Sequence, residues 1–398
     1  MHHFLKKNVF FIIVLITINS YSNSLDKIVK KNTLINQIKI KTGADNFEKY
    51  LPLLKDKKIG IVTNQTGILS NKVHLVDFLL EKNVIIKTIF APEHGFRGIA
   101  DAGEHVLDAK ETKTRLPIIS LYGDNKKPKP SQLEGINIMV FDLQDVGVRF
   151  YTYISSLHYV MEACAENHIP LIILDRPNPN GNITDGPILE KAFTSFVGMH
   201  PIPVLHGMTI GEYGQMINGE KWLKNTVKCK LTVIPCVNYN RKMDYSLPVK
   251  SSPNLPNDQS INLYASLCFF EGTNVSVGRG TEKQFQIYGS PFLKKGNFSF
   301  TPKPNFGAKD PLYNGKKCYG EDLSTNTKLQ NLELKWLIKA YKSTIDKTKF
   351  FNSFFTKLAG TKKLQQQIKT GTSENEIRRS WKNGLNQFKK MRKQYLIY

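Results

Sequence analysis

The first half of the chain alternates short apolar runs with segments of helical period. Apolar runs of strand length occur at residues 59–62, 84–90, 138–141 and 171–174, with further short ones at 117–121 and 231–235. Between them, residues 73–81 and 154–166 place apolar side chains three and four positions apart, as on one face of a helix. This alternation predicts an α/β fold built on a mainly parallel, Rossmann-like sheet.

The second half of the chain has a different texture. A last helix of the first pattern is predicted to begin at Thr209, because Glu212 three positions later completes a capping box. Beyond about residue 241 prolines recur, and residues 272–280 show no regular period. Helical patterns return only at 331–341 and 377–388. We therefore predict a Rossmann-like domain over residues 40–240 and a smaller α+β domain over residues 241–398.

Polar residues follow four of the apolar runs, at the point where each run ends. In an open parallel sheet the carboxyl ends of the strands meet at one edge, which forms the binding crevice. A single polar cluster after a strand could equally be a solvent-exposed turn. Four such clusters at equivalent strand ends favour a shared site for a polar ligand such as a sugar. They contain Asn64 after the first run, Glu93 and His94 after the second, Asp142, Gln144, Asp145 and Arg149 after the third, and Arg176 after the fourth.

The N-terminus has the pattern of a secretory signal peptide. Lys6 and Lys7 precede an apolar run over residues 9–18, and small polar residues follow at 20–24. The run is shorter than the about 20 residues that a membrane span requires. We expect residues 1–24 to be removed and the mature protein to be periplasmic, without stable membrane insertion. An uncleaved anchor is the alternative.

The charge balance is strongly basic, because 56 Lys and Arg against 33 Asp and Glu give a formal net charge of +23. Such an excess favours anionic partners. An anionic cell-wall polymer is a better partner than nucleic acid, since no nucleic-acid-binding motif occurs; dispersed, solvated lysines are the alternative. The five cysteines are odd in number and lack a C-x-x-C pair, which indicates buried small side chains rather than a disulfide framework.

Signatures of cofactor and metal enzymes are missing from the sequence. The first strand is not followed by G-x-G-x-x-G, and no P-loop, G-x-S-x-G elbow or H-E-x-x-H motif occurs. We therefore expect no cofactor and no metal, which leaves the strand-end carboxylates as the reactive groups. Glu93 is the first candidate, because a carboxylic acid in a partly apolar cleft can stay protonated and donate to a leaving oxygen. A loop glutamate that caps a helix is the alternative.

Other side chains are candidates for the remaining roles. Asp142 and Asp145 are candidates for a second catalytic group, as base, nucleophile or orienting acid. Hydrogen bonds, two-pronged arginine contacts and aromatic stacking would bind the substrate. For each residue a buried structural role, such as an Asp–Arg pair that holds a loop, is the alternative. The substrate-binding candidates are Asn64, His94, Gln144, Arg149, Tyr151, Tyr153, Arg176 and His206, and, from the second domain, Glu271 and Arg279.

Eight motifs of the chain resemble those of the exo-β-N-acetylmuramidases, glycoside hydrolases long catalogued as a conserved domain of unknown function. The motifs are GIVTNQTG, FAPEHGFRG, DAGE, FDLQDVGVRFYTYISSL, IPLIILDRPNPNG, GMHPIPVLHGMTIGEY, SPNLPN and CFFEGT. The resemblance covers the chain from about residue 57 and is strongest up to residue 280. It implies a Rossmann-like domain, a smaller C-terminal domain and an active site between them. It also implies release of N-acetylmuramic acid from the non-reducing end of peptidoglycan-derived glycans, with the catalytic Glu at Glu93.

We therefore expect a secreted, metal-independent, exo-acting glycosidase with Glu93 as general acid. Arg149 or Arg176 is expected to hold the lactyl carboxylate of the muramic ring. One rival is a non-catalytic peptidoglycan-binding protein. The other rival is a metal-dependent hydrolase of a cell-wall substrate, with the ligands His94, Asp142, Asp145 and His206.

Overall fold

The N-terminal half of the chain forms a seven-stranded sheet, in a computed structural model that describes residues 39–93, 95–96 and 109–398. Its strand order is β3–β4–β2–β1–β5–β6–β7, and only the edge pair β3–β4 is antiparallel. The predicted α/β fold with a mainly parallel sheet is confirmed. The strands are β1 (Lys58–Thr63), β2 (Ile85–Ala91), β3 (Ala109–Lys110), β4 (Pro117–Ser120), β5 (Ile138–Asp142), β6 (Leu171–Leu174) and β7 (Leu231–Ile234).

The central strands β5 and β6 are buried on both faces of the sheet, which explains why they are almost continuously apolar. Alternate side chains of a strand point to opposite faces. In β5, Met139 and Phe141 pack into one hydrophobic cluster, whereas Ile138 and Val140 pack into the other. A strand that is covered on both faces therefore has no polar positions to alternate with.

Helices pack on the sheet, and two of them begin at or next to the residues that the sequence predicts. Thr209 accepts a hydrogen bond from the backbone amide of Glu212, so the predicted capping box is present. The predicted helix at 154–166 begins one residue earlier, at Tyr153, with Thr152 as its N-cap. The helices are α1 (Phe47–Leu54), α2 (Leu75–Glu81), α3 (Pro130–Leu133), α4 (Tyr153–Glu166) and α5 (Ile210–Gly219).

The C-terminal half forms a smaller α+β arrangement with a three-stranded antiparallel sheet of order β8–β10–β9. Its Trp336 and Ile377 belong to the same hydrophobic cluster as Val148 and Leu205 of the N-terminal half. The predicted boundary at residues 240 and 241 stays a prediction. The elements are α6 (Asp258–Leu267), β8 (Ile287–Ser290), β9 (Phe298–Phe300), β10 (Cys318–Asp322), α7 (Lys335–Ser343), α8 (Phe355–Ala359), α9 (Lys363–Lys369) and α10 (Glu374–Arg392).

Candidate active site

A cleft of about 500 Å³ joins the two halves of the chain. Part of its lining follows the carboxyl ends of β2 and β5, as expected for an open parallel sheet. The remainder comes from the C-terminal half, including the 3-10 helix Cys268–Gly272 and the loop 307–312. Five of the predicted site residues line this cleft: Glu93, Tyr151, Tyr153, Glu271 and Arg279.

Glu93 lies two residues after β2, and its side chain is partly exposed in the cleft. The hydroxyl Oγ1 of Thr152 donates a hydrogen bond to Glu93 Oε2 over 2.9 Å. Thr152 is the N-cap of α4, yet its side chain makes no capping bond to that helix. The hydroxyl that commonly caps a helix is thus used to orient the carboxyl group of Glu93.

The buried Tyr151 and Tyr153 form a polar and aromatic surface in the same cleft as Glu93. Their rings are 4.8 Å apart. Tyr153 accepts a hydrogen bond from Asn64 Nδ2 at 2.7 Å, and Tyr151 donates to the carbonyl of Ser251 at 2.7 Å. Burial raises the pKa of Tyr153, and the nearby Glu93 raises it further, so the hydroxyl stays protonated. Asn64, which we predicted to bind the substrate, therefore positions the Tyr153 hydroxyl and does not line the cleft itself.

The C-terminal half contributes an ion pair to the cleft. Arg279 donates from Nε to Glu271 Oε1 at 2.8 Å, and its Nη2 is 2.7 Å from the same oxygen. The guanidinium carbon lies 5.1 Å from the centre of the Phe285 ring, a cation–π distance. Burial acts to lower the pKa of Arg279, but the charge of Glu271 outweighs it, so the pKa is raised and the guanidinium stays charged.

Asp142 and Arg176 do not reach the cleft, against our expectation. Arg176 Nε and Nη2 donate to the two oxygens of Asp142 at 2.6 and 2.9 Å, and Nη2 also donates to the carbonyl of Ile68. The side chains are 1% and 0% exposed. The alternative of an internal Asp–Arg pair is therefore the correct one here, because both carboxylate oxygens are occupied and covered.

Arg149 is likewise a structural residue rather than a substrate contact. Its Nη1 donates to the carbonyls of Pro187 and Ile202, and its Nη2 donates to those of Leu358 and Ala359, all at 2.7–2.9 Å. The last two carbonyls end α8, where a helix leaves its acceptors unsatisfied. Burial lowers the pKa of Arg149 to about 9. The side chain connects the two halves of the chain.

Asp145 and His206 lie close together and are buried, and neither lines the cleft. Asp145 Oδ2 accepts from the amide of Gly147 at 2.6 Å and lies 3.8 Å from His206 Nε2. Burial raises the pKa of Asp145 to about 7, and burial lowers that of His206 to about 3. Each charged form is thus disfavoured by desolvation. Their positions are against the catalytic role expected for Asp145 and the substrate contact expected for His206.

Two predicted residues remain. Gln144 is buried and donates from Nε2 to the carbonyls of Asp145 and Pro177, so it holds a turn and does not line the cleft. His94 lies outside the described residues. The metal ligand set that included His94 loses Asp142, whose oxygens are engaged by Arg176. Within the described residues, no group of three or more His, Cys, Asp and Glu is placed to hold a metal ion.

Several cleft residues were missed by the sequence analysis. Tyr122, Phe196 and Tyr264 supply aromatic surface, and Lys309 lies on the loop 307–312. Nothing local in the sequence distinguishes these residues from others of their type. Thr152 was within reach, because it stands between Tyr151 and Tyr153 at the predicted start of a helix, where threonine is a preferred N-cap.

Comparison with known proteins places the chain in a family. The model of the N-terminal domain of exo-beta-N-acetylmuramidase NamZ matches residues 59–259, and that of its C-terminal domain matches residues 262–398. The chain belongs to the exo-β-N-acetylmuramidase family. It is 40% identical over 405 residues to the peptidoglycan beta-N-acetylmuramidase NamZ of Bacillus subtilis strain 168, with 96% of each chain covered. The resemblance inferred from the motifs, and with it the class of glycosidase, is confirmed.

Two solved structures of DUF1343 family proteins, both from Bacteroides fragilis NCTC 9343, share the fold. One superposes with a TM-score of 0.84 at 45% identity and covers 90% of this chain and 99% of that one. The other has a TM-score of 0.75 at 27% identity and covers 91% of this chain and 100% of that one. The two-part architecture around the cleft is therefore shared with experimentally determined structures.

Proposed function

We propose that this protein removes N-acetylmuramic acid from the non-reducing end of peptidoglycan fragments, with Glu93 as the general acid. The observation that carries this proposal is the position of Glu93, which lines the cleft with its carboxyl group held by Thr152. A positioned carboxylic acid of this kind suits protonation of a glycosidic oxygen. Family membership supports the substrate class.

The reaction requires little of the protein beyond acid catalysis and positioning. Glu93 transfers its proton to the glycosidic oxygen as the bond from that oxygen to the anomeric carbon breaks. Water then adds at the anomeric carbon, and its extra proton returns the acid to its starting state over the cycle. Because Thr152 orients the carboxyl group through Oε2, the proton donor is fixed before the substrate arrives.

The rest of the cleft suits a pyranose sugar. Tyr122 and Phe196 both line it, and their ring centres are 6.4 Å apart. Aromatic faces such as these pack against the apolar face of a pyranose, while the hydroxyl groups of the sugar need hydrogen-bonding partners. The charged pair Glu271–Arg279 supplies such partners in the same cleft.

We also propose that the protein works outside the cytoplasm, in the periplasm, after removal of residues 1–24. The support is the basic start, short apolar run and small-residue site at the N-terminus. A net charge of +23 fits a partner that carries carboxylates. In the described part of the chain, no helix is long and apolar enough to cross a membrane. N-terminal sequencing of the protein from cell fractions tests this, and a cytoplasmic protein with residues 1–24 intact would contradict it.

Product analysis tests the proposed activity. The protein is incubated with the disaccharide N-acetylmuramyl-N-acetylglucosamine and with longer alternating glycans, and the products are identified by mass. We expect free N-acetylmuramic acid from the disaccharide, and the same single sugar as the first product of the longer chains. A chelator should leave the rate unchanged. Saturable glycan binding without sugar release would show a binding protein instead, and larger first fragments would show an endo-acting enzyme.

A further inference from the structure

Arg279 is held in the cleft by its backbone. It stands between Gly278 and Gly280, whose φ angles of 79° and 77° are in the left-handed region that glycine tolerates. A Cβ atom at Gly278 would lie 2.6 Å from the side chain of Ile287, and one at Gly280 would lie 2.6 Å from Pro311. Each glycine is therefore required both by its φ and by close packing, and the turn presents Arg279 in one fixed position.

The guanidinium group of Arg279 has unused donors. Arginine carries five N–H groups. Glu271 engages Nε and Nη2 along one edge of the group, through a single oxygen. The side chain has no other hydrogen-bond partner within the described residues, so three N–H groups, including both on Nη1, are left for a ligand. The side chain is 24% exposed, and it lines the same cleft as Glu93.

From this geometry we propose that Arg279 binds the lactyl carboxylate of the terminal N-acetylmuramic acid. The inference rests on the proposed function and names the residue that would set its specificity. The Nη1–Nη2 edge of a guanidinium can donate two parallel hydrogen bonds to the two oxygens of a carboxylate. Glu271 and the Phe285 ring hold the group in place, so little side-chain freedom is lost on binding.

The other arginines predicted for this task are excluded by their partners. Arg176 donates to Asp142 and to a backbone carbonyl, and Arg149 donates to four backbone carbonyls. Lys309 also lines the cleft. It offers a point charge without the planar fork, which makes it the natural comparison for Arg279.

Binding measurements separate this inference from the proposed activity. The Glu93→Gln variant serves as background, so that the disaccharide N-acetylmuramyl-N-acetylglucosamine stays intact. Its dissociation constant is measured by calorimetry and compared with that of the same disaccharide carrying a lactyl amide. We expect the carboxylate form to bind about 10- to 100-fold more tightly. Arg279→Gln should reduce this preference to a few-fold and should weaken binding of the amide much less than binding of the carboxylate.

Three further variants make the result decisive. Arg279→Gln combined with Glu271→Gln removes the unpaired negative charge that the single change leaves, and it should show the same loss of preference. Arg279→Lys, which keeps the charge, should recover part of the preference and serves if the other variants fold poorly. Lys309→Gln should keep the full preference. The inference is overturned if the carboxylate is not preferred at all, if the preference survives Arg279→Gln, or if it disappears with Lys309→Gln. Binding without sugar release by the wild-type protein would overturn only the proposed activity.

Discussion

Two carboxylate–arginine ion pairs of this protein have nearly the same distance between nitrogen and oxygen, but they differ in how far they are buried. Asp142 and Arg176 approach to 2.6 Å with side chains 0% and 1% exposed, whereas Glu271 and Arg279 approach to 2.7 Å with side chains 26% and 24% exposed. The third contact of Arg176 is the carbonyl of Ile68, whereas three N–H donors of Arg279 have no partner among the residues that the structure describes. The pair that we propose for substrate binding therefore differs from the structural pair in burial and in unused donors, and not in the N–O distance.

The first prediction concerns Glu93, which lines the same cleft as the partly exposed Glu271–Arg279 pair. Glu93→Gln should lower kcat by about 10²–10⁴-fold on the muramyl disaccharide, because the amide cannot donate the catalytic proton. The free energy of unfolding should change by less than about 0.5 kcal/mol, since Glu93 is partly exposed. Initial rates and denaturant unfolding measure the two effects. The exposed Glu81→Gln is the matched control, and a Glu93→Gln rate within a few-fold of wild type would remove Glu93 from the mechanism.

The second prediction concerns the buried side. Asp142→Asn should lower the free energy of unfolding by about 3–5 kcal/mol, because it leaves the guanidinium of Arg176 buried without its counter-charge. Glu271→Gln should lower the free energy of unfolding by about 1 kcal/mol or less, since solvent screens a partly exposed ion pair. The midpoint of urea unfolding, at an unchanged slope, reports each loss. Equal losses for the two variants would contradict the distinction between the pairs.

The third prediction uses the pKa of Asp145, which burial raises to about 7 from its usual 3.8. Between about pH 4 and pH 7 the unfolded chain has lost this proton and the folded protein still holds it, so stability falls as the pH rises. Asp145→Asn removes the ionisable group, and with it the free-energy cost of ionising a buried carboxyl group. The variant should gain about 2–4 kcal/mol relative to wild type between pH 4 and pH 8.

Unfolding at several pH values checks the sign of that effect. Asp322 is the control, because desolvation acts to raise its pKa but Lys283 and Ser324 outweigh it and lower the pKa. Asp322→Asn should therefore lose stability relative to wild type as the pH rises. A pH-independent difference between Asp145→Asn and wild type would mean that the pKa of Asp145 in the folded protein is not raised above its value in the unfolded chain.

The sheet was accessible from the sequence because its signals are local. Continuous apolar runs such as β5 predict strands covered on both faces, and the capping box at Thr209 and Glu212 predicts the start of α5. These patterns need only a few neighbouring residues. The same holds for the position of Glu93 directly after a strand.

The site was accessible only in part, because burial depends on contacts between distant segments. Arg149 and Arg279 are the same residue type, and either could have faced the cleft. The carbonyls of Leu358 and Ala359, more than 200 residues away, engage Arg149, whereas the turn from Gly278 to Gly280 presents Arg279. No periodicity or motif near Arg149 announces those partners. Family resemblance identified the region and left these roles open.

The smallest predicted effect compares two N-cap threonines, and it tests whether Thr152 serves the cleft rather than its helix. Thr152→Val removes the hydroxyl that donates to Glu93 and preserves the branched shape. We expect kcat to fall about 2- to 10-fold, because a typical hydrogen bond is worth about 0.5–1.5 kcal/mol. Stability should change by less than about 0.5 kcal/mol, since this hydroxyl makes no capping bond.

Thr209→Val is the matched control, because Thr209 Oγ1 accepts from the amide of Glu212 and donates to Asp175. That change should lower the free energy of unfolding by about 1–2 kcal/mol and leave kcat of the folded protein unchanged. Thr152→Ser keeps the hydroxyl and should retain most of the activity. If Thr152→Val loses stability as Thr209→Val does and keeps its kcat, then Thr152 is an ordinary helix cap. The orientation of Glu93 would then have to come from other contacts.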